Sequence, residues 1–389
     1  MAIQVLSAAT SATTSFALVE LGLVFVGLGV LSWIALKLRI SAVPLFLLAG
    51  LSLGKGGIAP LALSEDFLNL GAEIGALLLL LVMGFEYSAQ ELVTTLRSKW
   101  TIGLVDLATN AIPAAAIAFL LGYGWVGAIA FAGIMFVSSS GIASQLIRES
   151  GWSRSNIAKR ASSILVFEDI VLAPYLPVLA AVTLGLSALG GLISVGLALV
   201  VTLGVFLIAM GREIPGLKTL AKSGPGPLLL LTFGVALAIS GAANIAGFSG
   251  VIAAFLFGLL LTGEVAESLR SRFAPLRDVF SAVFFLFFGL SISAADVFQV
   301  LPAAVLFTIF GIVGKFFVGW LLGRDFQDPL AWRRIGAFLA SRGEFSMIIA
   351  ATVASALSVN VREITLGIVV LTSLFSTLAI RALRSRLEV

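Results

Sequence analysis

Two adjacent carboxylates, Glu168 and Asp169, interrupt an apolar run that reads SSILVFEDIVLAPYLPVL from residue 162 to 179. An acid at the centre of a membrane helix costs about 2.5 to 3.5 kcal/mol on insertion scales, so a pair kept there points to ion or proton chemistry. The chain has neither His nor Cys. Protons must therefore be handled by carboxylates or a lysine, while disulfides and thiolate metal sites are excluded. Neighbouring residues on a helix point about 100° apart, which makes one of the pair the carrier and the other an accessory. The competing reading is a structural salt bridge to a basic residue of another helix, Lys315 in IFGIVGKFFVGW being the foremost candidate. An ion pair that opens when a cation or proton arrives would serve both ends.

Five further polar groups stand in apolar surroundings: Glu73 in LGAEIGALL, Asp106 with Asn110 one turn on, and Arg342 with Glu344 in LASRGEFSM. Arg342 and Glu344 diverge on a regular helix and both turn inward only at a break, where they read as glue for crossing helices. Glu73 reads as a residue near a subunit interface or an ion path. Asp106 and Asn110 face the same region as the carboxylate pair.

The elements that position these groups are lipid-like. Of 389 residues, 60% are hydrophobic and 11% charged, with a mean hydropathy of +1.14, against about 25% charged in soluble domains. This composition predicts an all-α integral membrane protein and excludes a soluble enzyme. Apolar runs predict about thirteen spans, centred near residues 26, 48, 76, 111, 136, 172, 199, 236, 256, 284, 310, 346 and 372. The second, ninth and tenth read as short for a crossing of about 30 Å. No polar stretch exceeds a short loop, so no soluble regulatory domain is expected. No Lys or Arg precedes the first apolar run, so the first helix is expected to be retained rather than cleaved as a signal peptide.

Loop charge orients the spans. Of the 24 basic residues, 20 follow odd-numbered spans, from Lys37 and Arg39 through Arg333 and Arg334 to Arg386, with Lys55 and Arg362 opposite. The positive-inside rule then predicts a multi-pass protein of the cell membrane with its N-terminus outside and its C-terminus cytoplasmic. The net charge of +4 reflects this topology: the basic residues read as solvated loop charges, and no nucleic-acid partner is expected.

The buried charges concentrate in spans four to six and eleven to thirteen. Triplets offset by seven spans cross the bilayer in opposite senses, the arrangement of an inverted-repeat transporter with its site at the midplane. The middle span of each triplet carries a polar interruption, FVSSSGIASQL with Ser138, Ser139, Ser140 and Gly141, and LASRGEFSM. Small residues that merely let helices pack closely would explain one such break. Two matching breaks predict crossing, discontinuous helices whose freed backbone groups face a cavity. The repeats are drawn at about 15–184 and 226–383, joined by a linker helix at about 187–211.

The segments RISAVPLFLLAGLSLGKGGI, GAEIGALLLLLVMGFEYS, FVSSSGIASQLIRESG, VFEDIVLAPYLPVL, GFSGVIAAFLFGLLLTG, FFLFFGLSIS and SRGEFSMII follow one another along the chain. In that order they resemble signatures of the monovalent cation:proton antiporter-2 family, in particular its Kef-type potassium/proton branch. The resemblance implies a sodium/proton antiporter-like fold of thirteen helices in two inverted repeats, with a core domain, a dimerisation domain and a homodimeric assembly. By position it implies that Asp169 binds the cation or the proton, that Lys315 pairs with it, and that the Ser138–Gly141 break offers hydroxyl and carbonyl ligands. Two departures stand out. Glu168 occupies the place where Kef proteins carry Gln and electrogenic sodium exchangers a second Asp, and the nucleotide-binding domain of Kef proteins does not follow span thirteen. A separate cytosolic regulatory subunit is the corresponding expectation.

The expected activity is secondary exchange of a monovalent cation, K+ or alternatively Na+, for H+ by alternating access at Asp169, with no covalent cofactor and a lipid bilayer as the only solvent of the spans. One rival is a gated K+ channel or uniport-like pathway. The other is an intramembrane aspartyl hydrolase using Asp106 and Asp169, although the usual Gly-x-Gly-Asp signature surrounds neither residue.

Overall fold

The computed structural model describes residues 2–38, 40–54, 57–58, 65–85, 89–183, 188–211, 225–245, 249–357 and 359–384. Of the orienting loop charges, Arg39, Lys55, Arg212, Lys218, Lys222 and Arg386 lie outside the described residues. The described residues form helices, with short turns and bends among them. The chain begins with α1 (Ala2–Leu38), α2 (Val43–Leu53) and α3 (Glu65–Gly84) and continues with α4 (Ala89–Leu120), the broken pair α5 (Gly124–Phe136) and α6 (Ser140–Glu149), and α7 (Asn156–Thr183). A connecting helix, α8 (Ala188–Gly211), leads to α9 (Pro225–Ile245), α10 (Gly250–Leu260) and α11 (Gly263–Leu290). Then come α12 (Ala294–Gly323), the second broken pair α13 (Ala331–Leu339) and α14 (Glu344–Val353), and α15 (Val361–Arg384).

Each broken pair counted once, the described helices make thirteen passes. Eight are long and apolar enough to cross by that measure alone. The lone pass through α8 makes the offset between matching helices odd, so the second set lies inverted relative to the first. The short second and ninth spans correspond to α2 and α10, of 11 residues each. The tenth is not short. Helix α11 runs for 28 residues, and its stretch from 264 to 277 carries Glu264, Glu267, Arg270, Arg272 and Arg277, which hide it from an apolar reading.

Packing sorts the helices into two groups. In the first, α2 lies on α11, α3 on both α10 and α11, and α9 on α10. Backbone meets backbone at two glycine pairs related by the inversion. A Cβ on Gly84 would lie 2.7 Å from the Gly258 Cα, and one on Gly50 would lie 2.9 Å from the Gly289 Cα. Such approach replaces side-chain interdigitation where no hydrophobic force drives helices together in lipid. Helix α1 packs on α2 and turns Leu23, Val26, Val30 and Leu36 outward.

The second group, α4–α7 with α12–α15, holds the broken helices. Phe131 of α5 stacks on Phe307 of α12 with ring centroids 4.4 Å apart. At the start of α13, Arg334 is 1% exposed, pairs with Asp328 and lies 4.9 Å from the Trp152 ring centroid. It also reaches the Leu383 carbonyl at the end of α15, at 3.4 Å. This arginine is thus a buried tie between three segments rather than a solvated loop charge.

Candidate functional site

The two interruptions cross each other. Val137 and Ser139 are extended between α5 and α6, and residues 340–343 separate α13 from α14. The Ser139 N–H donates to the Ser341 carbonyl at 2.8 Å, backbone to backbone. Gly343 permits this approach, because a Cβ there would lie 2.6 Å from Ser139 Cβ.

Breaking two helices leaves two C-terminal ends rich in carbonyls and two N-terminal ends rich in N–H groups, with partial charges of opposite sign. One charged side chain serves each kind. Arg342 donates through Nη1 to the carbonyls of Leu339 and Ala340, at 3.1 and 3.2 Å, and through Nη2 to Met135 at 2.5 Å. It therefore closes the C-terminal ends of both α13 and α5, while Ser346 donates to Ile134 of α5 at 2.9 Å. Glu344 is the first residue of α14, and its Oε2 accepts from Ser139 Oγ at 3.0 Å. Ser139 in turn caps α6 by accepting the Ile142 N–H at 3.2 Å.

Beside the crossing lies a closed ionic cluster. The Lys315 ammonium, on α12, donates to Asp106 Oδ1 and Oδ2 at 2.7 and 3.0 Å and to Glu168 Oε1 at 2.8 Å. All three side chains are 0% exposed. Three N–H bonds use every proton that an ammonium has. Asn110 donates to Asp106 Oδ1 at 3.0 Å and holds that carboxylate on α4. The lysine is thus held by Asp106 and Glu168, where the resemblance implied Asp169. The rotation of α7 about its axis turns Glu168 toward α4 and α12 and places Asp169, also buried, on the adjoining face.

Glu168 connects this cluster to the first break. Its Oε2 accepts the Ser138 backbone N–H, and Ser138 Oγ lies 3.0 Å from its Oε1 and 2.7 Å from the Leu339 carbonyl. A hydroxyl has a single proton. Ser138 can therefore donate to Glu168 or to Leu339, but not to both at once.

The predicted residues thus fall into three sets. Lys315, Asp106, Asn110, Glu168 and Ser138 form one bonded network, and Ser139, Arg342 and Glu344 form the crossing itself. Ser140, half-buried at the start of α6, and exposed Gly141 lie next to both. Glu73 is not part of the core and its grouping with the core charges is corrected: it sits exposed on α3, where Oε1 accepts from Asn244 at 2.5 Å. Asn244 also accepts the Gly250 N–H at 2.7 Å, so Glu73 belongs to the start of α10. Sequence reasoning passed over Thr372 and Ser373 of α15. Thr372 Oγ1 accepts the Arg342 N–H at 3.0 Å, and Ser373 Oγ donates to the Arg342 carbonyl at 3.3 Å. Their signal was two adjacent hydroxyls following a predicted break at the same interval as FED follows SSS.

The profile of a transmembrane family described as sodium/hydrogen exchanger matches residues 11–384. The chain belongs to that family. Among its relatives is the ammonium/H+ antiporter subunit AmhT of Alkalihalophilus pseudofirmus, 28% identical over 86% of this chain and 86% of that one. The K+/H+ antiporter subunit KhtU of Bacillus subtilis is 28% identical over 85% and 84% of the two chains. The glutathione-regulated potassium-efflux system protein KefC of Klebsiella pneumoniae is 30% identical over 81% of this chain but only 52% of its own length. The sodium proton antiporter MjNhaP1 from Methanocaldococcus jannaschii superposes with a TM-score of 0.59 at 18% identity, over 95% of this chain and 99% of that structure. That likeness establishes the fold: two inverted repeats with crossing broken helices in a multi-pass membrane protein.

Proposed function

We propose that this family member is a secondary antiporter that exchanges K+ for H+ across the cell membrane, with Asp169 as the carrier. The observation that carries the reading is the crossing of two unwound segments beside the buried carboxylates Glu168 and Asp169. Asp169 takes a dehydrated monovalent cation or a proton, never both, and the core helices reorient only when it is occupied. Mutual exclusion at one carboxylate is sufficient to couple the two fluxes. Hydroxyl and backbone oxygens suit a hard alkali cation. Of the break hydroxyls, Ser138 and Ser139 are engaged within the scaffold, which leaves Ser140 as the hydroxyl best placed to face an ion. K+ is favoured by the names of the relatives KhtU and KefC. Ammonium, close to K+ in size and named for AmhT, is the second candidate, and Na+ the third.

The same reading draws the repeats at about 15–184 and 226–383 and sets the N-terminus outside and the C-terminus in the cytoplasm. It pairs two copies in a homodimer and adds a separately encoded cytosolic regulator, since AmhT and KhtU are each named as a subunit. An aspartyl hydrolase is disfavoured on chemistry: both Asp106 oxygens are bonded to Lys315, so that carboxylate is not available as a second acid.

The test uses purified protein in liposomes with an internal pH dye and an imposed proton gradient, to which K+, Na+ or Li+ is added in turn. K+ should collapse the gradient in wild type and fail to do so in Asp169→Asn. Cation conduction that needs no proton gradient would instead establish the channel reading.

A further inference from the structure

The backbone of the second break is held from behind by α15. The Arg342 N–H, freed by the unwinding, is accepted by Thr372 Oγ1 at 3.0 Å, while the Thr372 hydroxyl gives its own proton to the Ile368 carbonyl at 2.7 Å. Ser373 Oγ donates to the Arg342 carbonyl at 3.3 Å. Arg342, Thr372 and Ser373 are all 0% exposed, so no solvent replaces these bonds.

The first break is held in the same register. The freed Ser138 N–H is accepted by Glu168, 30 residues along on the next helix, and Thr372 stands 30 residues beyond Arg342. The inversion therefore places Thr372 where Glu168 stands and Ser373 where Asp169 stands. One repeat fills these positions with groups that can change charge, the other with groups that cannot.

The neutral pair communicates with the charged pair through atoms already named. It fixes the backbone of Arg342, whose guanidinium fixes the Leu339 carbonyl at 3.1 Å. That carbonyl competes with Glu168 for the single proton of Ser138. A shift of Arg342 alters where Leu339 lies and hence how Ser138 meets the carboxylate next to Asp169.

We propose that Thr372 and Ser373 are positioning residues of the exchange site, the uncharged counterparts of Glu168 and Asp169, which hold the second break still while the first responds to ion and proton. The inference rests on Asp169 being the exchange carboxylate. Removing the acceptor leaves a buried N–H unpaired, and a loss of that size corresponds to about a tenfold change in an equilibrium.

Liposome exchange rates are measured against cation concentration and pH for Thr372→Val, Thr372→Ser, Ser373→Ala and Asp169→Asn. Thr365→Val serves as the control, because that buried hydroxyl lies on the same helix and bonds to its own Val361 carbonyl at 2.7 Å rather than to the second break. Thr372→Val should raise the apparent cation KM about tenfold, displace the pH profile and lower the maximal rate far less. Thr372→Ser should restore wild-type behaviour, and Thr365→Val should not depart from it. A wild-type KM and pH profile in Thr372→Val, or an equal defect in Thr365→Val, overturns the proposal. Should Thr372→Val fail to reconstitute as folded protein, Ser373→Ala decides by the same KM criterion. An inactive Asp169→Asn together with a wild-type Thr372→Val removes this inference alone, whereas an active Asp169→Asn removes the carrier assignment and this inference with it.

Discussion

At the scale of single residues, the site is governed by how few charges there are and by which of them are bonded to one another. Lys315 separates two carboxylates that would otherwise face each other without water. Lys315→Met should therefore cost about 3–5 kcal/mol, the range for removing one partner of a buried ion pair, and is expected to lower the thermal unfolding temperature in detergent sharply. Adding Asp106→Asn and Glu168→Gln to that variant should recover part of the loss. Arg342→Lys keeps the charge but not the fork, and a lone ammonium does not reproduce the planar donor array that meets three carbonyls from two helices. Its expected outcome is a lowered unfolding temperature that no choice of pH restores. These ionisable residues were legible in the sequence because a charge in an apolar chain is rare. Which carboxylate meets Lys315 was not, since adjacency along the chain does not reveal how α7 is rotated about its axis. Thr372 and Ser373 escaped for the opposite reason: hydroxyls bond back to their own helix so often that composition does not mark the two that hold a neighbouring backbone.

At the scale of elements, the crossing depends on backbone proximity as much as on charge. Gly343→Ala would force its Cβ against Ser139, and exchange should fall at least about tenfold, since the break could no longer seat its partner strand. Helix content by circular dichroism should be unchanged. Gly258→Val should act elsewhere, separating α10 from α3 and lowering stability while leaving the Lys315 cluster intact, so that the surviving folded fraction retains its cation KM. Both breaks could be read in advance from SSSG and SRGE, where polar residues and glycine interrupt apolar runs. The length of α11 and the burial of Arg334 could not. Charge along α11 imitates a loop, and Arg334 is drawn inward by Asp328, Trp152 and the end of α15, none of which its own segment announces.

At the scale of the molecule, inversion gives two copies of one scaffold with chemistry concentrated in the first. The sequence carried this symmetry in the matched triplets of spans, while the pairing of Glu168 with Thr372 by register emerged only from the hydrogen bonds. The way Lys315 is held has an electrical consequence. Lys315 is bonded to Asp106 and Glu168, so in the antiport proposed above the cation and the proton alternate on the single carboxylate of Asp169. If one cation is exchanged for one proton in that cycle, no net charge crosses the membrane. Membrane voltage, worth about 2.3 kcal/mol per charge per 100 mV, would do no work on the cycle, and exchange would run on the two concentration ratios alone, continuing in a depolarised cell. Initial exchange rates in liposomes should be the same at zero and at large imposed voltage. A steep voltage dependence would show that more than one charge moves for each cation and that the protein behaves as a generator of current.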